Sequence, residues 1–242
     1  MRVILIITLA LLIGTCSTAP PLLDQVLETG ELRVVTRNSP TSYTVSPDGP
    51  TGPEFDLIQA FAEDLGVTLV VQSVDNVSEI LPLLLSGEAH MAAAGLSVTD
   101  SRREFLNFGH PYDSVDVHLI YKLGTGRPRE IEDILDRSIE VLASTSHVEI
   151  LEMLQEEYPE LEWTENADVE AADLLTKVAV GEVDLTISDS PDFDIQRHFY
   201  PDLRVALDLH VDDQIAWAFP KGSGDSLLAR ADDFIIDADR TG

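Results

Sequence analysis

From residue 30 onward the apolar positions switch between a period of two and a period near four. Leu32-Arg33-Val34-Val35-Thr36 follows Gly30 as a short extended run. Phe55, Ile58, Phe61, Ala62 and Leu65 then recur at helical spacing and stop at Gly66, a residue type suited to closing a helix. Val67 to Val71 predicts a strand, Val77 to Leu85 a short helix ending at Ser86-Gly87, and Met91 to Ala94 a buried strand of small residues. Together these form one βαβαβ unit.

The rhythm then repeats. Val115 to Tyr121 reads as extended, Gly124-Thr125-Gly126-Arg127-Pro128 as a loop, Ile131 to Leu135 as a short helix and Ile139 to Ala143 as a strand. A helix from His147 to Tyr158 is followed by a strand at Leu161 to Trp163, and a helix from Val169 to Val180 is closed by Gly181. A strand at Asp184 to Ile187, a helix at Pro191 to Phe199 and a strand at Leu203 to Leu207 complete the set. Gln214 to Phe219 is again apolar and extended, and it leads to a helix from Leu227 to Ile236. The pattern predicts two α/β lobes, residues 30–114 with 214–242 forming the first and 120–208 the second. Two extended crossings, near Val115–Tyr121 and Asp208–Gln214, would connect them.

In open parallel sheets a ligand sits beyond the carboxyl ends of the strands, against helix N-termini. The first such end is Gly95-Leu96-Ser97-Val98-Thr99-Asp100-Ser101-Arg102, where Ser97 and Thr99 offer hydroxyls and Arg102 can fork a carboxylate. Ser101-Arg102-Arg103-Glu104 is also a capping box, and taken alone that is the stronger explanation of this stretch. The second end is Ser144-Thr145-Ser146-His147, where Thr145 and Ser146 bring helix N–H groups toward an anion and Ser146-His147-Val148-Glu149 is another capping box. The third is Asp189-Ser190-Pro191, in which Ser190 would cap a helix and Asp189 could accept from an ammonium group or complement the helix dipole. The fourth is Thr36-Arg37-Asn38-Ser39-Pro40 with Tyr43 beyond, a loop placing Arg37 and Tyr43 on one wall of a cleft.

The N-terminus sets the compartment. Met1 and Arg2 precede an apolar run from Val3 to Ile13 and then the small residues up to Ala19, which predicts a secretory signal over residues 1–19. The run falls short of the ~20 residues a membrane span needs. Cys16 is the single cysteine, which excludes an internal disulfide, a cysteine-based zinc site and a CxxC motif. Ile13-Gly14-Thr15-Cys16 resembles a bacterial lipobox, so Cys16 is a candidate for lipidation, with Ser17 next to it compatible with outer-membrane sorting. The other reading is an ordinary signal peptide cut near Ala19, although Pro20 is a poor residue directly after a cut.

Charge removes one class of partner. With 15 Lys+Arg against 44 Asp+Glu, spread along 242 residues, the formal charge of −29 leaves no basic face for nucleic acid and suits a salt-rich setting. GxSxG, GxxxxGK[ST] and HExxH motifs are missing, and the six histidines show no metal-ligand spacing. With so many carboxylates, an acidic pair identifies no general acid. Neither cofactor nor metal is expected.

These residues together resemble the extracytoplasmic solute-binding proteins of family 3, the polar amino acid type. The resemblance runs from about Leu32 onward and is carried by Gly52-Pro53-Glu54-Phe55-Asp56-Leu57 and by Gly95 to Arg102, continuing through Phe105 and Phe108 to Pro111-Tyr112. It implies a type II periplasmic-binding-protein-like α/β fold with a ligand cleft between the lobes. It also implies that Arg102 holds a ligand α-carboxylate, that Ser97 and the Gly95 backbone assist, that Thr145 and Ser146 bind from the second lobe, and that Asp189 takes the α-amino group. Ser144 departs from the family's usual glycine, and Arg37 from its usual carboxylate or small residue.

A narrower likeness is to the solute-binding-like domain of the membrane-bound lytic transglycosylase F family, carried by Arg33 to Pro40, Pro50-Thr51-Gly52, Ala93-Ala94-Gly95-Leu96, Arg127-Pro128-Arg129 and Ala206-Leu207-Asp208. In that family the domain is regulatory and a separate domain cleaves peptidoglycan.

The expectation is therefore an exported periplasmic domain, anchored to the outer or inner membrane by lipid, that closes on an amino acid or muropeptide-like ligand. Its partner would be an ABC transporter permease or, in the regulatory alternative, a transglycosylase domain. A scaffold that has lost ligand binding is the third reading. Family members usually carry another helix after a stretch like Leu227 to Ile236, so apolar surface is expected to be left uncovered on one lobe.

Overall fold

A computed structural model describes residues 20–222 and 224–241. The signal segment and Cys16 lie outside the described residues. The first lobe is built on a five-stranded sheet of order β4-β1-β5-β12-β6, formed by β1 (Glu31–Arg37), β4 (Thr68–Val74), β5 (Met91–Ala92), β6 (Leu106–Phe108) and β12 (Ala218–Pro220). β1 is parallel to both β4 and β5, and β12 runs antiparallel to β5 and β6. Because alternate side chains on a strand leave by opposite faces, Val34 and Met91 pack with Ile58, Phe61 and Trp217, while Val35 and Ala92 pack with Ile80 and Leu84. Helices α1 (Leu22–Thr29), α2 (Pro53–Leu65) and α8 (Ser226–Thr241) cover the first face, and α3 (Ile80–Leu85) covers the second.

Several elements escaped the sequence pattern here, β6 among them. α1 follows Pro20-Pro21, too close to the leader to show a period of its own, and it is held by burial of Leu22 and Val26. The hairpin of β2 (Thr44–Ser46) and β3 (Gly49–Thr51) is short and polar.

The second lobe carries β7 (Asp113–Lys122) between β10 (Leu185–Asp189) and β11 (Leu203–Ile215), all antiparallel. A parallel pair, β8 (Glu140–Leu142) and β9 (Thr164–Asn166), joins that sheet through the Ile139–Leu185 bridge. α5 (Ser146–Glu157) packs on one face, and α6 (Ala171–Val180) with α7 (Ser190–Gln196) packs on the other. The strand expected at Leu161 to Trp163 lies instead at Thr164–Asn166. Leu161 is a core residue of the cluster that includes α5 and Trp163 packs half-buried against it, whereas the partner of β8 is a polar edge strand without an apolar signature.

β7 and β11 are the crossings between lobes. β11 is longer than the expected Leu203 to Leu207, running on to Ile215 with irregular register after Val205 and a left-handed Asp212 (φ 62). Its last residues grip the first lobe: Val98 N–H donates to Gln214 O at 2.9 Å and Ala216 N–H to Leu96 O at 3.2 Å. The crossing strand thus holds both sides of Ser97. Among the described residues no helix is long and apolar enough to cross a membrane.

Candidate functional site

Most of the strand ends singled out in the sequence converge on the seam between the lobes. A gap of about 20 Å³ is bordered by Arg37, Gly95, Ser97 and Arg102 of the first lobe and by Thr145, Ser146, His147 and Asp189 of the second. Such a gap has room for about one water molecule. Around it the lobes touch directly. Ser97 Oγ lies 3.1 Å from Ser146 Oγ, and Ser101 Oγ and Thr99 Oγ1 donate to Glu149 Oε1 at 2.7 and 3.2 Å. Thr41 Oγ1 donates to Asp192 Oδ1 at 3.3 Å, and Arg37 Nη2 lies 3.9 Å from Asp192 Oδ2.

Helix α4 (Asp100–Arg103) aims Arg102 at this seam. Its guanidinium donates from Nη1 to Ser97 O at 3.0 Å and from Nη2 to Ser144 O at 3.4 Å, and no carboxylate stands within ion-pair distance among the described residues. Burial lowers its proton affinity, against the field of Glu149, Asp213 and Asp189. The capping box expected at Ser101 does not form; Thr99 is the N-cap and accepts from Arg102 N–H at 3.3 Å. The box expected at Ser146 also fails. Thr145 occupies the N-cap, with its hydroxyl on Leu142 O at 2.8 Å, and Glu149 is drawn across the seam. Asp189, not Ser190, precedes α7 as its N-cap.

Asp189 is engaged by a residue the sequence reading passed over. His147 Nε2–H donates to Asp189 Oδ1 at 2.9 Å, and the imidazole is 8% exposed. Burial pushes the Asp189 carboxyl up, but the charge and hydrogen bond of His147, with Arg37 and Arg102 behind, hold it below its ordinary range. Asp192 and Asp213, also not foreseen, both have their carboxyls pushed up by burial. Asp213 lies beside Ser97 with Oδ2 unpartnered.

Gly95 was expected to offer its backbone N–H to a ligand. That N–H donates instead to Glu54 Oε2 at 2.7 Å, while Tyr112 Oη–H donates to Glu54 Oε1. Tyr43 packs edge-on against Phe55 at 5.6 Å and borders neither the gap nor its flanking cavities. Ser144 holds a left-handed φ of 61, which accounts for a glycine preference there and turns its carbonyl to Arg102. Larger cavities flank the gap. One of about 500 Å³ lies on the Arg102 and Glu149 side, and one of about 430 Å³ on the Asp189, Arg37 and Asp192 side.

A half-buried cation facing a second helix N-terminus across the lobe seam is a geometry for an anionic small molecule. The family model of bacterial extracellular solute-binding proteins, family 3, matches residues 32–242. The chain belongs to this family. Solved structures agree in fold. An arginine-binding protein from T. maritima, in mutant form, superposes with a TM-score of 0.79 at 20% identity, covering 91% of this chain and 94% of that one. An amino acid transporter substrate-binding protein from Streptococcus pneumoniae, bound to L-arginine, gives 0.78 at 23% identity over 92% and 94%. The fold is that of two-lobed type II binding proteins, as the sequence resemblance implied.

Proteins with greater sequence likeness to this chain include ones named membrane-bound lytic murein transglycosylase F. That of Saccharophagus degradans is 40% identical over 226 residues, 93% of this chain and 45% of the relative. That of Idiomarina loihiensis is 41% identical over 223 residues, 91% of this chain and 49% of the relative. The chain spans about half the length of the curated relatives it matches.

Proposed function

We propose that this chain is an exported, periplasmic domain that binds a small carboxylate-bearing solute, an amino acid or a short cell-wall peptide, between its lobes. The observation that carries this is Arg102. Its guanidinium is half-buried, has among the described residues only the carbonyls of Ser97 and Ser144 as hydrogen-bond partners, and meets the N-terminus of α5 at the lobe seam. A carboxylate there would gain a forked pair from Arg102, the hydroxyls of Ser97 and Ser146, and helix N–H groups. Asp189 would face the nitrogen end of the ligand. Since the gap holds about one water, the lobes part on β7 and β11 to admit the solute and close over it.

Thermal shift with amino acids and cell-wall peptides, followed by calorimetry, tests this. Arg102→Ala should weaken binding about 100-fold or more, since charge-assisted bonds contribute ~1.5–3 kcal/mol each and every 1.4 kcal/mol is tenfold. Arg102→Lys should restore only part, because an ammonium cannot match both oxygens. Undiminished binding by Arg102→Ala would reduce this residue to a tie between Ser97 and Ser144.

A second reading is favoured by the transglycosylase relatives: the domain senses its ligand for a murein-cleaving partner domain and does not feed a permease. An open reading frame continuing past Gly242 into such a domain supports this, and a stop codon there favours transport. Anchorage through Cys16 is tested by labelling with a fatty-acid analogue; an unlabelled, freely soluble product removes it.

A further inference from the structure

The exposed edges of the sheets differ in how they are guarded against pairing. β6, at one end of the first-lobe sheet, is 3 residues long, and β9, the outer strand of its pair, is also 3 residues with Glu165 at its middle. β11 is longer, but its register slips, Asp212 turns it left-handed, and it carries Arg204, Asp208, Asp212 and Asp213. Short length, bulges and charge are the usual guards of an open edge. β4, the other end of the first-lobe sheet, lacks all of these. It is 7 residues long and pairs with β1 in unbroken register. From Gly66 to Val74 it holds neither a charged residue nor a proline, in a chain of 15 Lys+Arg and 44 Asp+Glu.

The outward side of β4 is ready to pair. Thr68 N–H donates to Gly30 O and Asn38 N–H to Val74 O, both at 2.9 Å, so Thr68, Val70, Gln72 and Val74 bond toward β1. The N–H and C=O groups of Leu69, Val71 and Ser73 therefore point away from β1, and among the described residues no strand pairs with that side. Thr68, Gln72 and Ser73 are exposed, and Val70 is 39% exposed.

We propose that β4 is the contact of a symmetric dimer, in which a second copy of this chain pairs antiparallel with it about Val71 and the first-lobe sheet runs on from one copy into the other. The sequence of the edge argues for a second copy because it is complementary to itself. Pairing about Val71 sets Leu69 opposite Ser73 and Val71 opposite Val71, so the outward peptide groups meet as hydrogen-bonded pairs. Val70 falls opposite Gln72 and Asp75 opposite Val67, so no carboxylate faces another along the strand although each copy carries a formal charge of −29. A two-fold contact of this kind uses up both edges and closes at two copies. The net charge opposes the approach of the copies, and added salt screens it.

Sedimentation velocity on the purified protein over a range of concentrations, at about 0.1 M and about 2 M salt, tests this. Dimer should form in a concentration-dependent way and be favoured about tenfold or more at the higher salt. Ser73→Pro removes an N–H that β1 does not use, at a position where an edge strand accepts proline, and should weaken the dimer about tenfold or more while its unfolding midpoint stays close to that of wild type. Ser73→Ala keeps the N–H and should dimerise as wild type does, which separates loss of the backbone donor from loss of the side chain. A monomer at every concentration and salt overturns the proposal, as does a folded Ser73→Pro that dimerises undiminished, which would place the contact on another surface. Open-ended association in place of a closed dimer overturns it too and makes β4 an unguarded edge. None of these outcomes bears on the solute-binding reading, which rests on the seam between the lobes.

Discussion

Replacing Glu54 with Gln should remove a pH dependence from the stability of this protein. Glu54 stands in the first turn of α2, is 4% exposed, and ties Gly95 and Tyr112 together. Burial pushes its carboxyl up from 4.5 to about 7, with the Tyr112 and Gly95 hydrogen bonds and the Arg37 charge offsetting part of that cost. In the unfolded chain the group titrates near 4.5, so between about 4.5 and 7 the folded protein binds more protons than the unfolded one. Its contribution is therefore fully present below pH 4.5 and is lost as the pH rises through about 7. At ~1.36 kcal/mol for each pH unit, the span from 4.5 to about 7 amounts to about 3 kcal/mol. Gln keeps the shape, with its carbonyl accepting from Gly95 N–H and its amide donating to Tyr112 Oη. Urea unfolding of both proteins from pH 4.5 to 8 isolates the effect, because every other carboxylate is common to the two. The variant should match wild type at the acid end and exceed it by about 3 kcal/mol at pH 8. Parallel curves, or a variant less stable at pH 8, would refute the argument and show an ionised Glu54 to be a net stabilising partner of Tyr112.

Three further outcomes follow from local geometry. Gly52→Ala should cost more than about 2 kcal/mol in denaturant unfolding, because φ is 145 and an added Cβ would lie 2.3 Å from Ser42 O; an unchanged midpoint contradicts that packing. Ser144→Gly should stabilise by about 0.5–1 kcal/mol, as relief of left-handed strain exceeds the extra entropy of glycine in the unfolded chain. Phe61→Ala should lose about 3–5 kcal/mol, since this fully buried ring meets Trp217 at 5.3 Å and Phe234 at 5.2 Å; a drop below 1 kcal/mol would mean the core refills the space.

Local periodicity carried most of the architecture. The apolar stripe from Phe55 to Leu65, its stop at Gly66, the alternation in Val34-Val35 and Met91-Ala92, and the repeat of that rhythm after Val115 need only a backbone period and one face to bury. The convergence of Arg102, Ser97, Ser146 and Asp189 was legible too, because strand ends in α/β lobes gather at one edge. What the sequence left open depends on partners far along the chain. The strand at Thr164–Asn166 has no apolar signature because it is an edge, and α1 exists because its short apolar face finds α8 and the sheet. Ser101 and Ser146 read locally as capping boxes, yet Thr99 and Thr145 take the N-cap places. Glu149 bonds Ser101 across the seam, which it can do only once the lobes have met. For the same reason His147 on Asp189 and Glu54 on Gly95 were invisible. Each pair is more than 40 positions apart, so its contact follows from the placement of whole elements and not from any spacing in the chain.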